Sequence, residues 1–209
     1  VPNSVDLPAT VIEAMSLYIV RRPASGEVPV RRYGNRPVLF DLDPLEQIDI
    51  NRASDLSFAE TVAAGQRAAE VTRFRAMAPH LSSTVLADIC KEMEIPAVLP
   101  AHIRPTSGGK VLGRAKTLEL AAIGPGDPPD AWKGIYGALD SYRFIRPGDV
   151  IMVATDVPGR AYFGDLNANL AVRAGAVGAV IDGVTRDTAD VRALGFPVYA
   201  HSSYCNDIK

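Results

Sequence analysis

The sequence predicts an α/β layered domain, and three observations carry that expectation. From Asp165 onward the apolar pattern alternates: a helix over 165–174, a strand over 176–182, a helix over 188–194 and a strand over 196–200. Gly175 and Gly195 stand where helix C-caps are expected. The stretch GDLNANLAVRAGAVGAVIDGVTRD begins with Gly164-Asp165, ends with Arg186-Asp187 and holds almost no charge between. A ten-residue helix runs about 15 Å in one direction. A strand from Ala176 to Gly183 returns by about 23 Å. With a turn at each end, the two charged pairs meet at one edge and the apolar middle forms the packed part.

Upstream, residues 14–20 (AMSLYIV) and 37–41 (PVLFD) read as short buried strands, joined by a polar connection punctuated with Pro and Gly. A helix follows, capped by Asn51 or Ser54, with Asp55 in its first turn. Leu56, Ala59, Val62, Ala63 and Val71 give it a loose apolar stripe, and Gly65 weakens it without ending it. The segment 77–80 (MAPH) marks a boundary, giving a first part over 1–77 and a second over 78–209. In the second part Ser82 or Ser83 caps a helix whose apolar face holds Val85, Leu86 and Ile89. Residues 97–104, 110–120 and 149–154 read as strands, and 124–130 (GPGDPPD) as a breaker cluster.

Composition excludes several classes of function. Hydrophobic residues make up 47% and charged residues 22% of 209, as in ordinary globular chains. A net charge of −2 offers no basic face, which argues against a nucleic-acid partner. No apolar run approaches the length of a membrane span, and no signal peptide is visible. Cys90 and Cys205 fit no metal or redox spacing and read as free thiols of a reducing, cytoplasmic setting. The chain starts at Val1 and stops after Asn206-Asp207-Ile208-Lys209, which reads as a fragment of a longer protein.

The edge where the charged pairs meet has suggestive chemistry. Gly164 permits a tight entry into the helix, Asp165 stands at the N-cap, and the amides of Leu166 and Asn167 point outward as an anion site. Arg186 can grip a carboxylate in bidentate fashion. Asp187 and Asp190 offer hard oxygen ligands suited to Mg²⁺ or Mn²⁺. Together they would bind a 2-oxo acid, with the carboxylate on the arginine and amides and the carbonyl oxygen on the metal. A purely structural alternative is open: Asp165 as a helix cap, and Arg186-Asp187-Thr188 as a turn and cap for the next helix.

Residues 81–209 resemble the RraA-like family, which includes 4-hydroxy-4-methyl-2-oxoglutarate/4-carboxy-4-hydroxy-2-oxoadipate aldolases. SSTVLADIC, VLGRAKTLEL, RPGDVIMVA and YFGDLNANLAVRAGAVGAVIDGVTRDTADVRALGFPVYA carry the likeness, in that order. The resemblance implies a three-layer swivelling α/β fold, a homo-oligomer, usually a trimer, with the site between subunits, and metal-dependent cleavage or decarboxylation of 2-oxo acids. By position, Arg186 matches the carboxylate ligand and Asp187 the metal ligand. Asp165 matches the aspartate that orients metal-bound water, and Asp190 fits a downstream acidic position. Leu166 and Asn167 would supply backbone amides. The family usually continues past the equivalent of Lys209. Some of its members act on ribonuclease complexes, so a binding or regulatory module is a second reading.

LYIVRR and FDLDPLEQIDINRASDLSFAETV resemble the C-terminal end of acylneuraminate-type cytidylyltransferases. Asp49 matches the first Asp of that family's Ile-Asp-Ile-Asp segment, and Asn51 replaces the second, a metal ligand. The family's nucleotide-binding glycine loop is absent, so this resemblance implies a fusion whose transferase chemistry lies outside these residues, with the present chain an oligomerisation module as a third reading. Elsewhere, His80, His102 and His201 are scattered, though His201, after the last strand, could approach a site. Thr106-Ser107-Gly108-Gly109-Lys110 reads as a turn rather than a phosphate loop. Arg114 reads as a surface charge that could line the cleft, and Trp132 as a packing residue.

Overall fold

A computed structural model describes residues 37–208, together with Ala14 and Ile19. The strand expected over 14–20 therefore lies outside the described residues. The chain divides into two units, Val1–Ala68 and Ala69–Lys209. In the first, PVLFD is extended but forms no strand, and Val38, Leu39 and Phe40 are exposed. An apolar run becomes a strand only against a hydrogen-bonded neighbour, and no such neighbour is found among the described residues.

Helix α1 (Ala53–Met77) begins without the cap expected from Asn51 or Ser54. The Asp55 carboxylate instead accepts the N–H groups of Arg52 (2.9 Å) and Asn51 (3.1 Å), reaching back as the acidic half of a capping box does. Gly65 is passed without a break. Of the anticipated apolar stripe only Val71 is buried, so local propensity rather than a packed face defines most of this helix. A 3₁₀ turn (Ala78–His80) leads to α2 (Ser83–Glu92), where the Ser82 hydroxyl accepts the Val85 N–H as expected. Val85, Leu86 and Ile89 are all exposed.

The second unit is built on one five-stranded sheet. Its strands are β1 (Arg104–Ser107), β2 (Arg114–Leu120), β3 (Asp149–Thr155), β4 (Gly178–Ile181) and β5 (Val198–Ala200). Their spatial order is β1-β5-β4-β3-β2, parallel throughout except for antiparallel β1. Residues 97–103, read as strand from sequence, form a turn and irregular chain, and Gly113 ends the irregular segment before β2. A β-bulge between Pro105 and Ser107 shortens the β1 pairing.

One face of the sheet packs against α3 (Gly134–Asp140), a 3₁₀ turn (Ser141–Phe144), α4 (Asp165–Ala174) and α5 (Thr188–Ala193). Ile151, Val153, Ile181 and Val198 point into this layer, and Phe163 stacks on Phe196 with ring centroids 6.2 Å apart. α3 had no signal in the sequence reading, because Gly134 and Gly137 disguise a helix that follows the breaker cluster after a single 3₁₀ turn (Ala131–Lys133). On the opposite face, irregular segment Leu99–Ile103 roofs a cavity of about 480 Å³ over Thr117, Met152 and Val180. Of Thr106–Lys110, read as a turn, Thr106 and Ser107 belong to β1, while Lys110 donates to the carbonyls of Ala78 and Leu81 and Tyr199 donates to that of Gly109.

Gly175 ends α4 with φ 88°, and Gly195 follows α5 with φ 65°, as the sequence predicts. A Cβ at Gly175 would also press on the Pro147 backbone at 3.0 Å. Gly175→Ala is therefore expected to cost about 1–2 kcal/mol from the left-handed conformation alone, before any contact term. A urea titration should show a lower midpoint at unchanged slope.

Two buried phenols lie beneath α4. The Asn167 side chain donates to the Tyr142 hydroxyl at 3.2 Å, whereas the buried Tyr162 hydroxyl reaches no partner of acceptable geometry. Burial pushes both phenols above their ordinary range, Tyr162 furthest, with Tyr142 adding to it. Folded protein therefore keeps them neutral while an unfolded chain ionises near pH ~10. Their contribution is complete below about pH 10 and falls away as pH rises beyond it. Tyr162→Phe should be neutral or slightly stabilising at pH 7 and should flatten this alkaline loss, as read by melting curves between pH 7 and 11.

Candidate functional site

The expected edge exists, and backbone pairing builds it. After β3 the chain turns and runs in as Ala161-Tyr162-Phe163, and Phe163 is wholly buried. Phe163 bridges Thr185 in parallel, Thr185 bridges Ser203, and Ala161 bridges Asp207. The Phe163 carbonyl accepts two bonds, from the Arg186 N–H at 2.9 Å and from the buried Thr185 hydroxyl at 2.7 Å. Thr185 N–H donates to Ser202 and its carbonyl accepts from Tyr204 N–H. Three segments distant in sequence are thereby aligned, with Gly164, Arg186 and Asp207 on adjoining positions.

Gly164 is required by proximity. Its φ of −145° suits any residue, but an added Cβ would collide with Asp187 Oδ2 and lie 3.1 Å from Arg186 Cγ. Arg186 Nε lies 3.4 Å from Asp187 Oδ2, and its Nη1 3.5 Å from Asp207 Oδ1. These are loose ion pairs rather than tight hydrogen bonds, and all three side chains are about a third exposed (38%, 36% and 35%). The guanidinium is thus held in place by two carboxylates that do not saturate it. Nη2 has no acceptor among the described residues, leaving donors for an incoming carboxylate.

Asp187 adopts the left-handed conformation (φ 54°, ψ 34°) at the start of α5. Aspartate tolerates this region better than most residues, and such outliers concentrate at functional sites. Its carboxylate does not cap α5; it accepts the Asp165 N–H at 3.3 Å across the edge. Asp165 is the first residue of α4, and Gly164 holds the N-cap position expected of Asp165. The Asp165 carboxylate accepts the Leu166 N–H at 2.7 Å, so that amide is engaged within the chain. The Asn167 N–H has no acceptor among the described residues, while its side chain is buried against Tyr142. Asp190 is exposed, in the first turn of α5.

The structure thus brings together Gly164, Asp165, Arg186 and Asp187 and adds Asp207 and Thr185, which the sequence reading did not select. Alternating burial could not reveal Thr185, because its role lies in a single hydroxyl contact. Asp207 had only its acidic character as a signal. Neither Asp187 nor Asp190 belongs to a group of three metal-ligating side chains; among the described residues that grouping is His102, Asp182 and His201. Asp187 nevertheless fits a hard divalent ion. Its carboxylate is partly exposed and not consumed by helix capping, and Mg²⁺ commonly needs only one or two protein carboxylates, with water completing the shell.

The chain is similar to several known proteins. A protein of Halalkalibacterium halodurans, provisionally named a 4-hydroxy-4-methyl-2-oxoglutarate aldolase, is 33% identical over 109 residues, covering 50% of this chain and 46% of that protein. The structure of Streptomyces coelicolor RraAS2, described as an unusual member of the RNase ES inhibitor RraA protein family, matches with TM-score 0.52 and 25% identity over 64% of this chain and 65% of that one. A structure described among novel cellulases from microbes associated with the gut ecosystem shares the fold, with TM-score 0.53 and 20% identity over 61% and 57% of the two chains. The chain spans about half the length of its curated relative.

The clash at Gly164 gives a direct test of the edge. Gly164→Ala should destabilise the protein by about 1–3 kcal/mol through overpacking. Asp187→Gly in the same chain removes the colliding carboxylate and suits the left-handed backbone. A denaturation double-mutant cycle should therefore show partial recovery, whereas simple additivity would place Asp187 elsewhere. The model of the RraA-like family (Aldolase/RraA) matches residues 83–209, more than half of the chain, and the protein belongs to that family.

Proposed function

We propose that the Arg186 edge binds the carboxylate end of a 2-oxo acid and that the protein is a divalent-metal-dependent lyase of the pyruvate-aldolase or decarboxylase type. The observation that carries this reading is the Phe163 carbonyl holding Arg186 N–H, which sets an unsaturated guanidinium beside Gly164 and the Asp187 carboxylate. The name of the Halalkalibacterium relative supports an aldolase role.

In this reading Arg186 fixes the substrate carboxylate, and the free Asn167 N–H at the start of α4 adds a dipole of the right sign. Asp187, with Asp190 one turn on, would hold Mg²⁺ or Mn²⁺. The ion would supply Lewis-acid stabilisation of charge on the 2-oxo group. Asp165 keeps one carboxylate oxygen beyond its bond to Leu166 N–H and acts as proton acceptor and donor through water. For a 4-hydroxy-2-oxo acid, a proton leaves the 4-hydroxyl as the C3–C4 bond breaks, and a proton is then returned to C3 of the pyruvate fragment. The edge is open to solvent in a single chain, in keeping with a trimer whose neighbour completes the site, in a cytoplasmic setting. Residues 1–77 would then be a separate segment with a cytidylyltransferase-like origin.

Pyruvate release from 4-hydroxy-4-methyl-2-oxoglutarate with added Mg²⁺ or Mn²⁺ tests the proposal. Arg186→Ala and Asp187→Asn should each lower turnover by about 10²-fold or more, the scale of one lost charge-assisted contact. Arg143→Ala, which removes an exposed guanidinium stacked on Phe144, should leave it unchanged. Undiminished turnover in both site variants would refute the assignment. A non-catalytic regulatory module is the second reading, favoured by the description of the Streptomyces relative. Calorimetry with oxalate and Mg²⁺ separates the two, because a pure regulator has no use for a 2-oxo-acid site.

A further inference from the structure

The end of the sheet near β1 holds a second cluster that the reading above does not use. β1 runs antiparallel to β5, with Arg104 opposite Ala200, so the residues just before β1 meet those just after β5. β4 runs parallel to β5, so the residue after β4 arrives at the same end. Those three positions are His102, His201 and Asp182. A turn closed by Ile103 N–H on the Pro100 carbonyl sets His102, and His201 N–H on the Gly183 carbonyl (2.8 Å) sets His201.

Both imidazoles aim Nε2 at one atom. His201 Nε2 lies 2.7 Å and His102 Nε2 3.4 Å from Asp182 Oδ1, and the rings meet edge to face at 4.4 Å between centroids. One donor atom from each residue lies within 4.8 Å of the others. A tetrahedral ion about 2.0–2.1 Å from each ligand would set donors roughly 3.3 Å apart, against 3.4 Å from His102 and 2.7 Å from His201 to Asp182 Oδ1, so small side-chain shifts would accommodate it. The side chains are partly exposed, at 57%, 52% and 27% for His102, Asp182 and His201, so an ion can enter and keep water as its fourth ligand. The hydrogen bond from His201 holds the Asp182 carboxyl below its ordinary range. Asp182 also borders the cavity beneath Leu99, Pro100 and Ile103.

We propose that His102, Asp182 and His201 form a binding site for a borderline divalent transition metal, of the Zn²⁺ or Co²⁺ class, separate from the hard-ion position at Asp187. Two imidazoles and one carboxylate select such ions over Mg²⁺, which prefers oxygen donors and surrenders water reluctantly. The ion replaces a shared hydrogen bond with three directed bonds and pins the Pro100–Ile103 turn to the ends of β4 and β5. The histidines are 99 positions apart, counting from 102 to 201, which is why their spacing carries no metal motif.

Equilibrium dialysis of the full chain against ZnCl₂, with bound metal counted by elemental analysis, tests the site. One equivalent is expected per chain, undisplaced by excess Mg²⁺, together with the visible absorption of tetrahedral Co²⁺ when CoCl₂ is used instead. His102→Ala and His201→Ala should each weaken Zn²⁺ binding at least tenfold, and the pair should abolish it. Asp182→Asn retains side-chain shape and serves as a further variant should either alanine change impair folding. Asp187→Asn should leave Zn²⁺ binding intact, which separates this proposal from the one at Arg186. Absence of saturable binding, or equal binding by wild type and the double variant, would overturn the site. So would a loss confined to Asp187→Asn.

Discussion

The candidate site depends on one carbonyl. Phe163 C=O accepts both the Arg186 N–H and the Thr185 hydroxyl, and it does so in a place from which water is excluded. A buried acceptor of this kind costs considerably more to abandon than to keep. The register between the segments entering α4 and α5 is therefore fixed at the point where Gly164 must pass beside Asp187. Everything polar at the edge inherits its position from that contact. The guanidinium is placed by backbone first and by its two loose carboxylates second. The ring of Phe163 anchors the same residue from the other side by stacking on Phe196.

The legible part of the sequence was the part whose physics is local. Gly175 and Gly195 announced their left-handed turns, and the helix-then-strand spacing returned Arg186 to Gly164, because helix rise and strand rise are nearly constant. Strand ends were less legible: β4 occupies Gly178–Ile181 rather than the whole of 176–182, because pairing with β3 and β5 decides where it stops. Apolar content misled where no partner strand existed, as at PVLFD and at 97–103. Asp165 illustrates a finer limit. Acidic character placed it at a helix start, yet a steric demand for glycine gave the cap position to Gly164 and moved Asp165 one residue inward.

The two clusters at the strand ends differ in kind. Around Arg186 the ligands are carboxylates and a guanidinium, a set suited to a keto acid and a hard ion. Around Asp182 they are imidazoles, which no short motif could have signalled, since the histidines meet only through the reversed direction of β1. Both clusters lie within the residues matched by the family model. Sheet topology accounts for both, because the loops that follow parallel strands gather at one end.

The rims of the sheet have a further consequence. Among the described residues β1 and β2 are the outer strands. β1 is four residues long, carries Pro105 and is broken by a bulge, so it presents few amides in line. β2 is longer, but Arg114, Lys116 and Glu119 punctuate it with charge. An unpaired rim of regular, uncharged strand invites other chains to add to it indefinitely. Short length, proline, a bulge and charge on these two rims each work against such growth.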